Sequence, residues 1–333
     1  MRQQILIPTL LEIAKELDID ILVEPSRGIY GVLKFKSGYK HYIKDVNLNL
    51  NLSNSVSLAK NKAATSFFLK EFGYHVPDFT IIRSKRLSSD SFPEDTKLEG
   101  YEYAKIVGFP VILKPNDMSQ GNLIFKVYEE KEYYSAAREI LTHCKSAQVQ
   151  RFYPGNDYRI VVLRNRVISA YQRIPFHVVG DGISSIAMLI DLKQNQFVSL
   201  GRDTKLSTQD LRLQQKLQRE GLSLNSIPTS GDKVFLQDIS NLSVGGETVE
   251  LTSELHQSYA DLAINIAKDM NLSLCGIDII TESITRENND LYTVLEVNSS
   301  PGLDNYAFSG AKQESYVKSL YREVLIHIQG MYL

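Results

Sequence analysis

The first fifty residues alternate short apolar runs with turn residues, and the pattern then changes to a helical period. Alternation over about four to eight residues is typical of half-buried strands. It predicts a helix followed by a small antiparallel meander, with strands in DILVEP, GIYGVLKF and GYKHYIKD. The next segment, LAKNKAATSFFLKEF, has helical spacing and ends before Gly73, which predicts one continuous helix.

Two antiparallel hairpins are predicted further along the chain. YRIVVLR and RVISAYQRI are separated by a short turn near Asn165, and GIDIIT and LYTVLEVN form the second pair. Amphipathic spacing predicts helices over residues 208–220, 255–270 and 316–328. These patterns indicate the α/β or α+β class, with antiparallel sheet prominent.

Composition narrows the range of functions. Lys and Arg total 37 against 39 Asp and Glu, so a formal net charge of −2 argues against nucleic acid or an anionic membrane as the main partner. No apolar run is long enough to cross a bilayer, and two cysteines are too few for a disulfide framework. The six histidines lack the HExxH spacing of zinc hydrolases. We expect a cytoplasmic protein with two or three packed subdomains in its 333 residues.

Three oxygen-bearing side chains lie on the second predicted hairpin. Glu296 and Asn298 are two residues apart on one strand and therefore point to the same face. Asp278 lies on the preceding strand among isoleucines, and two carboxylates in apolar surroundings need a compensating cation. A divalent ion such as Mg²⁺ or Mn²⁺ prefers such oxygen ligands, and a Lys or Arg side chain also satisfies the need. The sequence leaves both explanations open.

A lysine and a polar loop form a second candidate feature. Lys114 ends the strand PVILK, and Ser119, Gln120 and Gly121 lie in the loop that follows. An ammonium group and backbone N–H groups in this arrangement can hold phosphate oxygens. The loop is neither a Walker motif nor the dinucleotide fingerprint, so an ordinary surface turn is the alternative.

Arginines on predicted strands form a third feature. Arg159 and Arg173 lie on paired strands, and Arg151 and Arg202 lie near them in the sequence. A planar guanidinium group in a cleft can bind anionic oxygens through two parallel hydrogen bonds. An ion pair with a neighbouring carboxylate is the alternative for each.

Seven stretches in a fixed order connect these features, from about Asn61 to Leu303. They are NKAATSFFLKEFGYHVP, GFPVILKP, FYPGNDYRIVV, QRIPFHVVGDG, ISNLSVGGETVELT, GIDII and LEVNSSPGL. In this order they resemble the ATP-grasp superfamily, and within it the ATP-grasp halves of cyanophycin synthetase and of the bifunctional bacterial glutathione synthetase. The resemblance implies an α+β, ATP-grasp fold in which two lobes grip a nucleotide. It divides the chain into a pre-grasp segment (1–57), a small lobe (58–148) and a large lobe (149–333) with the metal and substrate site.

The resemblance also implies roles for individual residues. The nucleotide-contacting set is Lys62, Lys114, Ser119, Gln120, Gly121, Gln150, Arg151, Phe152 and Asp157. The catalytic set is Arg173, Lys114 and Arg159, and the metal ligands are Asp278, Glu296 and Asn298. The substrate side comprises Arg202, Asn241, Gly245, Gly246, Ser300 and Gly302. After the Pro-Gly turn, Asp304, Asn305 and Tyr306 replace a basic or histidine-containing run of cyanophycin synthetases, so the substrate is not carried over.

The implied function is an ATP- and Mg²⁺-dependent ligase, with Mn²⁺ as the alternative ion. It joins the carboxylate of an amino acid or peptide to an amine through an acylphosphate and releases ADP and phosphate. One alternative is a tailoring ligase that cross-links side chains of a ribosomal precursor peptide, and another is a nucleotide-binding module without ligase chemistry. We expect neither nucleic acid nor membrane as a partner, and a homo-oligomer stays open.

Overall fold

The computed structural model describes residues 6–84, 96–117, 123–202, 204, 207–289, 291–308 and 311–332. The elements of the first half are α1 (Leu6–Glu16), β1 (Asp20–Val23), β2 (Tyr30–Lys34), β3 (Lys40–Lys44), α2 (Ser53–Lys60), α3 (Lys62–Glu71), β4 (Phe79–Arg83), α4 (Thr96–Val107), β5 (Val111–Pro115), β6 (Phe125–Val127), α5 (Glu130–His143), β7 (Ser146–Arg151) and β8 (Asn156–Leu163). Those of the second half are β9 (Arg166–Ile174), β10 (His177–Val179), α6 (Ile186–Ser199), α7 (Leu211–Arg219), β11 (Lys233–Phe235), β12 (Glu247–Glu250), α8 (Gln257–Asp269), β13 (Leu274–Thr281), β14 (Tyr292–Asn298), α9 (Asp304–Ala307) and α10 (Ala311–Gly330).

The named strands form four sheets, and every pairing between them is antiparallel. Their orders are β1-β2-β3, β4-β7-β5-β6, β12-β9-β8-β13-β14 and β10-β11. We call the four-stranded sheet the small sheet and the five-stranded sheet the large sheet. Both predicted hairpins, β8–β9 and β13–β14, and the N-terminal meander are confirmed.

The small sheet is covered by helices on one face. Val111, Leu113 and Val149 pack there against apolar side chains of α4 and α5, including Ala104 and Ile140. Because side chains alternate along a strand, the residues between them face the other way. Ile112, Lys114 and Gln150 therefore point toward the large sheet.

The large sheet packs on both faces. Its back face carries Ile160, Ile277 and Ile279 against α8, whose Ala263 and Ile266 contribute to the same core. On the front face, α1, α10 and the N-terminal meander cover the half of the sheet that includes Val161 and Tyr171, and Leu325 belongs to the same core. The other half of the front face lies opposite the small sheet. A cleft separates the two sheets there.

One helix differs from the sequence expectations. The helix expected to run unbroken to Gly73 is two helices, because Asn61 has an extended backbone and its side chain accepts a hydrogen bond from Ala64 N as the N-cap of α3. The division of the chain into a segment and two lobes stays a prediction; residues 148 and 149, where it places the second boundary, lie in β7, which pairs with both β4 and β5.

A further unit, which we call the insert, comprises the described residues from Phe176 to Ile239. It contains β10, α6, α7 and β11. It has an apolar core of its own, which includes Phe176, Ile186, Leu213 and Val234. The sequence expectations contained α7, over residues 208–220, but not α6 or the β10–β11 pair. Among the described residues, none of the helices is sufficiently long and apolar to cross a membrane.

Candidate functional site

A cavity of about 610 Å³ lies between the small sheet, the large sheet and the insert. This volume is within the range of sites for nucleotides and other small molecules. Nine of the residues singled out in the sequence line it: Lys62, Lys114, Gln150, Phe152, Asp157, Arg173, Asn241, Asp278 and Glu296. They come from both sheets, from α3 and from the loop that follows the insert, so the folded chain brings together segments that are far apart in sequence.

Strand register places the charged side chains of the large sheet in adjacent rows. Asp278 is the Cα partner of Arg159 on one side and of Glu296 on the other. Asp157 is likewise the partner of Arg173. Because Asp157 and Arg159 are two residues apart on β8, both rows project from the same face of the sheet.

Ion pairs connect these rows. Arg159 donates to both oxygens of Asp278, with Nε–Oδ1 and Nη2–Oδ2 distances of 2.6 and 2.7 Å. Arg173 Nη2 lies 2.6 Å from Asp157 Oδ1 and 2.9 Å from Asp278 Oδ2. Of the two explanations left open for the buried carboxylates, compensation by arginine is present in the structure. Asp278 is therefore held by two guanidinium groups that fix its orientation.

Two lysines approach the row from the opposite side. Lys62 Nζ lies 3.6 Å from Glu296 Oε2. Lys114, which is 6% exposed, ends β5 on the cleft face of the small sheet. Asn116 holds the two segments together, since its carbonyl oxygen accepts from Lys62 N at 3.2 Å and its Oδ1 accepts from Ala63 N at 3.0 Å. The backbone segments that carry Lys62 and Lys114 therefore lie next to each other, although the two residues are fifty-two positions apart in the sequence.

The charges shift the ionisation of these groups. Burial by itself would raise the pKa of Glu296, but the ammonium groups of Lys62 and Lys114 outweigh it and hold that pKa well below its usual value. Burial lowers the pKa of Lys114 to about 8, and the Glu296 carboxylate opposes this only in part. Burial would also lower the pKa of Arg173, but Asp157 and Asp278 outweigh it and raise the pKa. At neutral pH the cavity wall carries ionised carboxylates and cations side by side.

The oxygen atoms at the end of the row fit a hard divalent cation. Asn298 Nδ2 donates to Glu296 Oε1 at 3.0 Å, which leaves the amide oxygen of Asn298 for another contact. The described residues contain no group of three or more His, Cys, Asp or Glu side chains able to hold a metal ion. Two carboxylates and one amide oxygen are too few for a closed cage, and they are oxygen ligands of the type that could form part of a Mg²⁺ coordination shell.

Gln150, Arg151 and Phe152 of the predicted nucleotide-contacting set, which we call the hinge residues, divide between cavity and surface. Gln150 is buried on the cleft face, and Phe152 lies beneath the ammonium of Lys126, 3.7 Å from the ring centroid. Arg151 is exposed and does not line the cavity. Ser119, Gln120 and Gly121 lie outside the described residues.

The predicted substrate-side residues are less concentrated. Arg202 is buried and donates through Nη2 to the carbonyl oxygens of Leu242 and Gly246, at 2.9 and 3.1 Å. It therefore braces the loop that carries Asn241, which does line the cavity.

The glycine and serine positions of the substrate set lie outside the cavity lining. Gly245 follows a short helical turn with a φ of 100°, and Gly246 N donates to Asn241 O. Ser300 is half-buried and Gly302 is exposed, beside Val46. Tyr306, one of the departures noted in the sequence, is fully buried, and its ring stacks on Tyr171 at 4.8 Å between centroids. Tyr306 therefore belongs to the apolar core on the front face of the large sheet.

Several lining residues were missed by sequence reasoning. Lys126, Lys216, Lys233 and Asp238 line the end of the cavity formed by β6 and the insert. No motif marks them, because they reach the cavity only through the packing of the insert. Asn116 had a usable signal, since it follows Lys114 and Pro115 at the strand end where side chains commonly hydrogen-bond to backbone groups.

Known sequences are similar to this chain. Residues 235–313 match the family model of the RimK-like ATP-grasp domain. Cyanophycin synthetase of Trichormus variabilis is 36% identical over 255 residues, which cover 74% of this chain and 27% of that protein. The glutathione biosynthesis bifunctional protein GshAB of Mannheimia succiniciproducens is 28% identical over 308 residues, 89% of this chain and 39% of that protein. The chain thus spans about a quarter to two fifths of the length of these curated relatives.

Solved structures define the fold. The bifunctional glutathione synthetase from Pasteurella multocida superposes with a TM-score of 0.58 at 24% identity, over 95% of this chain and 43% of that chain. The D-alanine–D-alanine ligase from Bacillus anthracis gives a TM-score of 0.50 at 12% identity, over 84% of this chain and 72% of that chain. The predicted architecture, two α+β units on either side of a cleft, is confirmed.

Proposed function

From the premise that this chain carries a RimK-like ATP-grasp domain in an ATP-grasp fold, we propose that it is an ATP-dependent carboxylate–amine ligase. It would form an amide bond on an amino acid or peptide through an acylphosphate, with release of ADP and phosphate. The observation that carries this proposal is the cavity itself, which two lysines of separate segments line together with Asp278 and Glu296, while Arg159 is paired with Asp278.

The nucleotide would lie between the two sheets. Ile112 on the small sheet and Ile280 and Leu295 on the large sheet offer apolar surface for a base near the hinge residue Gln150. Lys62 and Lys114, whose ammonium groups act on the Glu296 carboxylate, would hold the phosphates.

The chemistry requires activation of a carboxylate. An ionised carboxylate repels an attacking amine, and its oxygen is a poor leaving group. Transfer of the terminal phosphoryl group forms a bond between carboxylate oxygen and phosphorus and breaks the bond to ADP. Attack by the neutral amine then forms the C–N bond, breaks the bond between the acyl carbon and the phosphate oxygen, and releases phosphate and one proton of the amine.

The chain's own residues would supply positioning and charge neutralisation, which dominate catalysis of phosphoryl transfer. Lys114 offsets charge on the phosphates. Arg173, held in place by Asp157 and Asp278, faces the cavity and stabilises the negative charge that develops on the transferred group. Arg159 keeps Asp278 oriented through two hydrogen bonds.

Asp278, Glu296 and the amide oxygen of Asn298 would hold Mg²⁺ against the phosphates. When bound, the ion supplies neutralisation of charge on the phosphate oxygens. The loss of a single carboxylate should therefore remove activity without removing the fold. The acid and amine substrates are proposed only as a class, an amino acid or short peptide with an amine co-substrate.

A coupled assay tests the proposal. ADP and phosphate release would be measured over pairs of amino acids and short peptides, and products would be weighed by mass spectrometry. A ligase product has the summed mass of both substrates less one water. Glu296→Gln should abolish product while the melting temperature stays close to that of the wild type. Glu323→Gln, which alters an ion pair with Arg166 on the outside of the protein, is the matched control.

Two results would contradict the proposal. ADP release that no carboxylate or amine stimulates would favour a module that binds nucleotide without ligase chemistry. Equal turnover of the Glu296→Gln variant and the wild type would refute the proposed metal site.

A further inference from the structure

An arginine at the end of α7 connects the insert to the small-sheet unit, beside a second contact in which the guanidinium of Arg212 lies 5.8 Å from the Phe125 ring centroid on β6. Arg219 Nη1 donates to Glu132 Oε1 at 2.8 Å, and Arg219 Nη2 donates to Asp238 Oδ2 at 2.9 Å. Glu132 lies in the first turn of α5, which covers the small sheet, whereas Asp238 follows β11 of the insert. One side chain therefore joins two acids from opposite sides of the cleft.

Each end of this bridge is itself fixed. Glu132 Oε2 accepts the backbone N–H of Tyr128 at 2.8 Å, and the guanidinium carbon of Arg219 lies 4.2 Å from the centroid of the Tyr128 ring. On the other side, Lys216 Nζ donates to Asp238 Oδ1 at 2.9 Å. Because the planar guanidinium group of Arg219 is held on both sides, the distance between Glu132 and Asp238 can vary little.

The bridge is partly shielded from solvent. The side chains of Arg219, Glu132 and Asp238 are 25%, 12% and 15% exposed. Exposed ion pairs contribute little because water and salt screen them, whereas the two carboxylates of this bridge are mostly enclosed. The contact therefore contributes to holding the two units together.

Both ends of the bridge attach to walls of the cavity. Lys126 lines the cavity on β6, two residues before Tyr128, and Asp238 lines it from the insert. The Arg219 bridge therefore helps to set the separation between β6 and the residues after β11, together with the contact of Arg212 with the Phe125 ring. A longer separation would open the cavity along this edge.

We propose that Arg219 is a positioning residue that holds the small sheet over the cavity by joining Glu132 to Asp238. This inference rests on the proposed ligase function, because its benefit is the exclusion of water from an acylphosphate. In an opened cavity, water attacks the acylphosphate and regenerates the carboxylate with release of phosphate. ATP would then be consumed without amide formation.

Hydrogen exchange tests the bridge without any substrate. In the nucleotide-free protein, the Tyr128 amide and the first turn of α5 should exchange about tenfold faster in Arg219→Gln than in the wild type. Glu132→Gln also alters the acceptor of the Tyr128 amide, so only the first turn of α5 is compared in that variant. There the double variant should exchange no faster than the faster single variant, since both changes break the Arg219–Glu132 contact. Arg166→Gln, which removes an ion pair to Glu323 away from the cleft, should leave these amides unchanged.

The ratio of phosphate released to amide formed tests the consequence for the reaction. We expect this ratio to rise at least about twofold in Arg219→Gln, and Arg219→Lys, which can reach only one of the two acids at a time, should give an intermediate value. Unchanged exchange at Tyr128 would overturn the bridge whatever the reaction is. Faster exchange with an unchanged ratio would overturn the positioning role, because a merely structural contact gives that pattern. A wild-type protein that makes no amide would refute the ligase function, and the exchange comparison would still decide whether the bridge exists.

Discussion

Lys114→Met removes one charge from the wall of the cavity while keeping a side chain of similar length. Lys114 is almost fully buried, and its ammonium lies in the field of Glu296 and Lys62. In the variant, Lys62 still lies 3.6 Å from Glu296, so that carboxylate keeps a compensating cation. We therefore expect the fold to survive and the effect to fall on the nucleotide.

The magnitude follows from the kind of contact that is lost. A hydrogen bond from an ammonium to a phosphate oxygen contributes about 1.5–3 kcal/mol, which corresponds to about a 10- to 150-fold loss of ATP affinity. Removal of Lys114 also relieves its repulsion of Lys62, which opposes the loss. The lower half of the range is thus the better expectation.

The pH dependence gives this prediction a second, independent signature. Burial lowers the pKa of Lys114 from its ordinary 10.5 to about 8, so the free protein loses the ammonium proton as the pH rises through that value. Only the protonated form carries the charge that attracts phosphate. The affinity of the wild type should therefore fall above about pH 8, whereas that of Lys114→Met should not. Lys114→Arg should keep its charge to higher pH.

Calorimetric titration with a non-hydrolysable ATP analogue, between about pH 7 and pH 9.5, measures both signatures. Lys70→Met is the matched control, because Lys70 lies on α3 with its side chain 68% exposed. Equal affinity of wild type and Lys114→Met near pH 7 would refute the phosphate contact. A difference that stays constant over the whole range would refute the assignment of the titration to Lys114.

Two backbone features give further predictions. Asn61→Ala removes the N-cap of α3 and should lower the free energy of unfolding in urea by about 0.5–2 kcal/mol. Nucleotide binding should also weaken, because Lys62 is the first residue of that helix. Unchanged stability would show that the cap is dispensable. Gly245→Ala places a Cβ 2.5 Å from a ring carbon of Phe176 at a φ of +100°, and should destabilise by about 1–3 kcal/mol. Gly108→Ala, with a φ of +84° and open space around the Cβ, should cost less, and equal losses in both variants would exclude the clash as the cause.

Local patterns predicted the parts of the fold that depend on neighbouring residues. Alternation with a period of two identified β8, β9, β13 and β14 and placed Glu296 and Asn298 on one face, because side-chain direction along a strand depends only on position. The same logic failed at Asn61, where a capping side chain divides a run with continuous helical spacing. It also failed for α6, whose exposed side includes Met188 and Leu192, so its sequence lacks a clear polar face.

The amino-acid sequence by itself determined which residue types could meet a nucleotide and in which order they occur along the chain. It fixed neither their partners nor the shape of the cavity. The pairing of Asp278 with Arg159 depended on the register between β8 and β13, which joins residues more than a hundred positions apart. Likewise, Arg219 reaches Glu132 only because the insert folds back against the small sheet. Contacts of this kind follow from how separate elements pack, and no local pattern of polar and apolar residues encodes them.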